Sequence, residues 1–577
     1  MNFLSSIIQL CLSTFLLFDL ISLSSSWTTN YNHHQRSHHQ TRVLVKVQST
    51  SSIENEKNTH ASTNKQITPA ALPARVIAAR ALVEPNNTKK HKHVNYHQNN
   101  PITKLESNSQ YSKLPSRDKA FARHLVSSTI RRTGQIDALL NQLCTNKYPP
   151  KCGKFTGLVL ACLRMGAAQI LFMDVKDFAA VKETVQVLKY ENAPEKIIKF
   201  VNAILRRVSR EEGKALLAKH TSIEDNIAPW LLKEWNQSYG SETTTQMIEQ
   251  LLETKSYKYV DISLNLSPFL DDNEKRKEIE EIINTFTTYT NSSCDSGGDS
   301  KNDNGSVTLL PTGSSIRIEK GQESGDSGII SNWPFYHEGK WWVQDISATL
   351  PAIGLINGLK TLNNQNNKMD HDYVDYFSKL HIVDMCAAPG GKTSQLLAAG
   401  FGKVTAVEVS QRRCKRLQEN LHRLDLEERC DIVLSPGQDY TPKLNDKKVS
   451  GILLDVPCSA TGTGNRRPDV LRKDSNDVEG LLQIQEILVN HCLDNILEKG
   501  GILCYATCSL LKIESEDQIK KLLTKRNDVE TLPFTHGEIP GFDDAIDESG
   551  WLRLKPGVLD GQLKSCDGFF VARLIKK

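Results

Sequence analysis

The chain predicts a multidomain α + α/β protein, and two patterns carry that reading. Over residues 73–215, apolar side chains recur at helical spacing through one segment after another, with short polar joints between them. Over residues 341–577, short apolar runs suited to strands alternate with helical runs, which predicts a mostly parallel sheet covered by helices on both faces. A length of 577 residues exceeds one ordinary domain, and 39% apolar with 24% charged residues is a globular composition.

The helical block opens with "PARVIAARALVE" (residues 73–84), followed by a polar stretch near 85–115 that is read as a disordered insertion. The pattern resumes at "SRDKAFARHLVSSTIRRTGQIDALLNQL", where Ser116 is a candidate helix cap, and continues through "FTGLVLACLRMGAAQILFM", "DFAAVKETVQVLKY" and "KIIKFVNAILRRVSREEG". Arg131, Arg132, Arg206 and Arg207 stand at helix ends, where a cation complements the dipole or meets phosphate. Residues 216–340 are expected to form a connecting RNA-binding subdomain with helical "PWLLKEWNQSYG" and strand-like "YVDISLNLSP". A Gly/Ser/Asp/Asn run places a disordered insertion near 290–330.

The first 26 residues are an apolar run ending in small residues, as in a secretory signal. Residues 27–72 are rich in Ser, Thr, Asn and His, and basic residues outnumber acidic ones, which is a transit-like composition. Together they read as a two-part plastid address, with a signal anchor as the alternative. Once processed, the protein is expected to have no stable membrane association. Thirteen cysteines include no C-x-x-C pair, so no metal site is expected, and a net charge of +4 neither demands nor excludes nucleic acid.

The chemistry gathers in the last block. "KLHIVDMCAAPGGKTSQLLAAG" runs from a strand through a glycine turn into a helix, the place where a doubly wound sheet holds a ligand. Its Gly-Gly-Lys-Thr resembles a triphosphate cradle. That loop, however, needs glycine where Cys386 stands, and Pro389 removes an amide donor. Glu408 ends the second strand about twenty residues on, where a carboxylate can accept ribose hydroxyls. Asp439 follows the third strand and either serves the adenine side or makes a turn. Cys458 and Cys508 each precede Ser at a strand-to-loop junction, a placement that suggests covalent chemistry on an electrophile. Chemistry alone leaves open which thiol attacks.

"DMCAAPGGKT", "LLDVPCSATGTGNRRPDV" and "YATCSLL", in this order, resemble the Nop/Sun family of RNA cytosine-C5 methyltransferases. "LRMGAAQILF" and "FVNAILRR" resemble a NusB-like RNA-binding domain. The pairing is similar to that of bacterial 16S rRNA (cytosine-C5)-methyltransferases, which "WWVQDISATLPA" and "DGFFVARLIKK" also match. The resemblance implies a Rossmann-like class I methyltransferase domain, S-adenosyl-L-methionine as cofactor, small-subunit rRNA as partner and a monomeric state. It also implies Cys508 as nucleophile, Cys458 as the group assisting release, and Asp455 holding the cytosine edge beside the cofactor. Cys386, Ala387, Ala388, Pro389, Gly390, Gly391 and Lys392 would embrace the methionine and ribose, with Glu408 and Asp439 further along. Arg466 and Arg467 are expected at RNA phosphate, or as solvated loop charges. A tRNA substrate, or a non-catalytic role in ribosome assembly, are the competing readings.

Two departures stand out. Gly437-Gln438-Asp439 replaces the family's Gly-Asp, and Lys512-Ile513-Glu514-Ser515 replaces Pro-Glu-Glu-Asn.

Overall fold

The structure, a computed structural model, describes residues 72–84, 100–144, 148, 150–173, 175–253, 259–292, 305–319, 329–366, 373–443 and 448–577. The expected two-part leader lies outside the described residues, apart from Leu72, which begins the first helix.

The helical region packs helices Leu72–Leu82, Ser116–Arg131, Thr133–Leu143, Thr156–Phe172, Asp177–Tyr190 and Glu195–Val208 around one apolar core. Helix Thr156–Phe172 is apolar almost throughout because it runs through the middle of that bundle, with Cys162, Leu163, Met165, Ala167 and Ala168 fully buried. Two expectations are corrected here. Residues 101–112, read as part of a disordered insertion, fold as helices Pro101–Glu106 and Ser109–Ser112. Asn100 and Asn108 cap them through their side-chain oxygens, and Leu105 is buried in the core. Ser116 is the first helical residue rather than the cap, which is Pro115 and makes no side-chain capping bond.

In the connecting region, helices Pro229–Tyr239 and Ser241–Leu252 bury Leu231, Trp235, Met247, Ile248 and Leu251 against Val470, Leu471, Val478, Leu510 and Leu511 from the last block. A four-stranded antiparallel sheet follows, in the order β2 (Val307–Leu309), β3 (Ser315–Glu319), β1 (Tyr259–Leu264), β4 (Trp341–Val343). Helix Asp272–Ser292 covers it, with Phe286 edge-on to Trp341 at 5.8 Å. β2 and β3 fall inside the stretch read as disordered near 290–330. The reason is tertiary: the buried Arg317 of β3 forms two hydrogen bonds, of 2.7 and 2.8 Å, with the Asp261 carboxylate of β1.

The last block is a sheet in the order β10 (Val529–Thr531), β12 (Phe569–Lys576), β9 (Leu497–Thr507), β8 (Val449–Asp455), β5 (His381–Met385), β6 (Lys403–Glu408), β7 (Cys430–Leu434), with β11 (Leu552–Leu554) paired to β12. The strands from β9 to β7 are parallel; β12 runs antiparallel to β9, and β10 and β11 each pair antiparallel with β12. Chain order reverses beside β5, which has β6 on one side and β8 on the other. That arrangement opens a crevice at the carboxyl ends of the parallel strands. The helix before β9 changes its winding at its end. It spans Asn476–His491, widens into a π turn over Cys492–Ile496, and gives way at Leu497, which pairs with Val449.

Candidate active site

The turn after β5 begins with Cys386 at φ 63° and reaches Gly390 at φ 101°, before a helix starts at Gly391. Gly390 is required twice over: its φ is left-handed, and a Cβ there would come within 2.4 Å of Leu417. The turn is closed by the Gly390 amide donating to the Ala387 carbonyl at 2.9 Å. Beneath it Asp384 is buried. Its Oδ2 accepts from Thr393 Oγ1 at 2.6 Å, while Oδ1 has no hydrogen-bond partner among the described residues. Burial pushes this carboxyl up to about 7.

At the end of β6, Glu408 is 1% exposed, with Oε1 accepting from the Ser410 amide at 3.0 Å and Arg413 beside it. Val409, next to Glu408 in sequence, and Leu434, the register partner of Glu408 on β7, stay 52% and 55% exposed. Asp439 and Gln438 lie in a one-turn helix, Gly437–Asp439, and both are exposed.

Lys392 reaches across from the turn to Asp455 at the end of β8, Nζ to Oδ2 2.8 Å, with the Phe569 ring 5.5 Å from its ammonium. Burial alone would lower the lysine pKa; Asp455, with Asp384 farther off, more than offsets this and holds it raised. Lys392, the last residue of the expected cofactor loop, is the counter-ion of Asp455.

The two thiols meet. Cys458 Sγ lies 3.5 Å from Cys508 Sγ although the residues are 50 apart in sequence. Their loops interlock: the Gly462 amide donates to the Cys508 carbonyl, and the Gly568 amide to the Gly462 carbonyl, both at 2.9 Å. A Cβ on Gly462 would stand 2.2 Å from the Gly568 carbonyl oxygen. The Cys508 thiol is held well above its ordinary pKa, first by its hydrogen bond with Cys458, then by burial and the Asp455 charge, with Lys392 pulling the other way.

The sequence reading missed a buried carboxylate. Glu514 accepts from the Ser459 amide at 2.9 Å, from the hydroxyls of Ser459 and Ser509 at 2.5 Å each, and from Gln485 Nε2 at 3.0 Å. It thereby ties together the residues that follow each thiol. Arg553 supports the same loop, donating to the Ser509 carbonyl at 2.8 Å and pairing with Glu516. Of the two arginines read as RNA ligands, Arg466 pairs with the buried Asp567 and Arg467 with the buried Asp469 at 3.0 Å. Among the described residues, no three His, Cys, Asp or Glu side chains gather as a metal site.

The site fits S-adenosylmethionine. The glycine turn and the first amides of its helix offer donors to a carboxylate. Glu408 offers a buried acceptor for a diol, and Val409 and Leu434 offer apolar edges for a base.

Residues 72–210 match the NusB family, and residues 375–575 match the family described as 16S rRNA methyltransferase RsmB/F. The chain is 28% identical over 472 residues to ribosomal RNA small subunit methyltransferase B of Escherichia fergusonii, covering 81% of this chain and 92% of that one; the Shigella sonnei protein of the same name gives the same figures. The solved structure of PH0851 superposes with a TM-score of 0.59 at 19% identity, over 88% of this chain and 99% of that one.

Proposed function

The chain joins a NusB-family domain to an S-adenosylmethionine-dependent methyltransferase domain of the 16S rRNA methyltransferase RsmB/F family, and we propose that it methylates C5 of a cytosine in small-subunit ribosomal RNA. The observation that carries the cytosine-C5 reading is the pair of thiols 3.5 Å apart beside the Lys392–Asp455 ion pair. The names of the curated relatives support the substrate.

Cytosine C5 is too weak a nucleophile to take a methyl group unaided. Bound S-adenosylmethionine supplies an electrophilic methyl on its sulfonium. Cys508, as thiolate, would add to C6; the electron pair of the C5–C6 double bond, made available at C5, would then form the bond to the methyl group as the methyl–sulfonium bond breaks and S-adenosylhomocysteine leaves. Asp455, kept in place by Lys392, would hold a proton between its carboxyl group and N3 and accept from the N4 amino group, so that the electron density arriving from the new S–C6 bond is neutralised at N3. Cys458 stands beside the adduct to help remove the C5 proton. As that proton leaves, the C5–C6 double bond reforms and Cys508 departs. The target base must leave its stack to reach the thiols.

The test is methyl transfer from labelled S-adenosylmethionine to unmodified small-subunit rRNA and to tRNA, followed by nucleoside analysis. 5-Methylcytosine in the rRNA alone supports the proposal. Label in tRNA moves the substrate, and RNA binding without transfer leaves an assembly role. The leader composition supports a plastid address as part of the same proposal. A fluorescent fusion of residues 1–72 that stays in the cytosol removes that part.

A further inference from the structure

The loop from Ser459 to Lys473, which carries the chain away from Cys458, is held on its outer side by residues far away in sequence. Arg131, 2% exposed at the end of helix Ser116–Arg131, donates to the Asn465 carbonyl at 2.8 Å and to the Leu251 and Glu253 carbonyls at 3.1 and 3.2 Å. Asn100, also buried, donates from Nδ2 to Asp469 Oδ2 at 2.7 Å, while its Oδ1 caps helix Pro101–Glu106 through the Ile102 amide. The far end is fixed as well: Trp230 Nε1 donates to the Lys473 carbonyl, and the Lys473 ammonium returns to the Ser459 carbonyl next to Cys458, both at 2.8 Å.

A surface arginine serving RNA would leave its guanidinium in water. Arg131 instead is buried and donates to three backbone carbonyls, one of them in the active-site loop, besides the Ser127 hydroxyl of its own helix. Asn100 uses both ends of its amide, one on its own helix and one on that loop. These contacts cross from the helical region into the catalytic block at the loop on which Cys458 depends, and they are buried, where a lost partner is costly.

We propose that Arg131 and Asn100 are positioning residues for the Cys458 loop, making the helical domain a structural part of the active centre as well as an RNA-binding module. The inference rests on the cytosine-C5 reading for its kinetic readout.

The experiment uses the full chain. Asn100→Asp keeps a good helix cap but sets a carboxylate against Asp469. It should lower kcat for rRNA methylation about tenfold or more, with KM for RNA and affinity for S-adenosylmethionine within about twofold of wild type. Adding Asp469→Asn restores one donor and one acceptor in swapped order and should recover most of the loss. Arg131→Ala should lower kcat in the same way. The rate at which iodoacetamide alkylates Cys458 without RNA, read by mass spectrometry, should change in Asn100→Asp and return in the double variant. Unchanged kcat and alkylation in the single variants overturn the proposal, as does a loss confined to RNA KM or one that the swap does not repair. If the wild type methylates no cytosine, the cytosine reading fails, and the alkylation pattern alone decides this one.

Discussion

Cys458 and Cys508 place their sulfur atoms 3.5 Å apart at the ends of two adjacent parallel strands, and the hydrogen bond between them is the largest influence on the acidity of Cys508. The proposed nucleophile, Cys508, is therefore favoured in its thiol form, and its ionisation depends on its neighbour.

That dependence has a direction. Because the pKa of Cys508 is raised, its thiolate fraction grows only as pH rises, so kcat/KM should climb with pH above neutrality. Cys458→Ala removes the leading cause of the shift, so the alkylation–pH profile of Cys508 should move to lower pH. A profile that stays in place would show that burial, not Cys458, governs the thiol.

Glu514 holds the residues after both thiols through Ser459 and Ser509. Glu514→Ala strands these buried donors, each of which costs roughly 1–3 kcal/mol, and frees the two loops. Melting should show lower stability. Turnover should drop about 10²-fold, the scale expected when reacting groups shift by about an ångström, with S-adenosylmethionine affinity near wild type. Wild-type turnover in this variant would remove Glu514 from the account.

Glu408 is a buried carboxylate at the end of β6, where the proposed binding mode sets the ribose. Glu408→Ala should raise the Kd for S-adenosylmethionine by about tenfold or more, the equivalent of roughly 1.4 kcal/mol or greater, as read by calorimetry. An unchanged Kd would place the ribose elsewhere.

Arg317 and Asp261 are a buried pair, with side chains 4% and 2% exposed, that staples β3 to β1. Arg317→Met leaves an uncompensated carboxylate and should destabilise the protein by about 3–5 kcal/mol. Adding Asp261→Leu should recover much of that loss. Denaturant unfolding of the single and double variants checks both statements.

Much of this was legible in the sequence. The strands of the catalytic sheet are short apolar runs separated by glycine turns and amphipathic helices, so β5 to β9 and the β5 turn could be placed from pattern alone. β2 and β3 could not. They are 3 and 5 residues long within a Gly/Ser/Asp-rich stretch, and what orders β3 is a salt bridge to a strand over fifty residues earlier. The same limit explains Arg466 and Arg467, whose loop sequence suggests phosphate but whose acidic partners Asp567 and Asp469 emerge only with the fold. Glu514 stands in Lys512-Ile513-Glu514-Ser515, where the sequence departs from the family pattern, so the resemblance does not mark it. The usable signal was a glutamate six residues beyond Cys508, close enough to fold back on its loop.

The most direct test of the central claim is to mix Cys458→Ala with S-adenosylmethionine and small-subunit rRNA, then look for a denaturant-resistant protein–RNA adduct and map it by peptide mass spectrometry. The account predicts an adduct on Cys508, absent when Cys508→Ala is added. An adduct on Cys458 in the single variant Cys508→Ala, or none in either protein despite methyl transfer by the wild type, would contradict it.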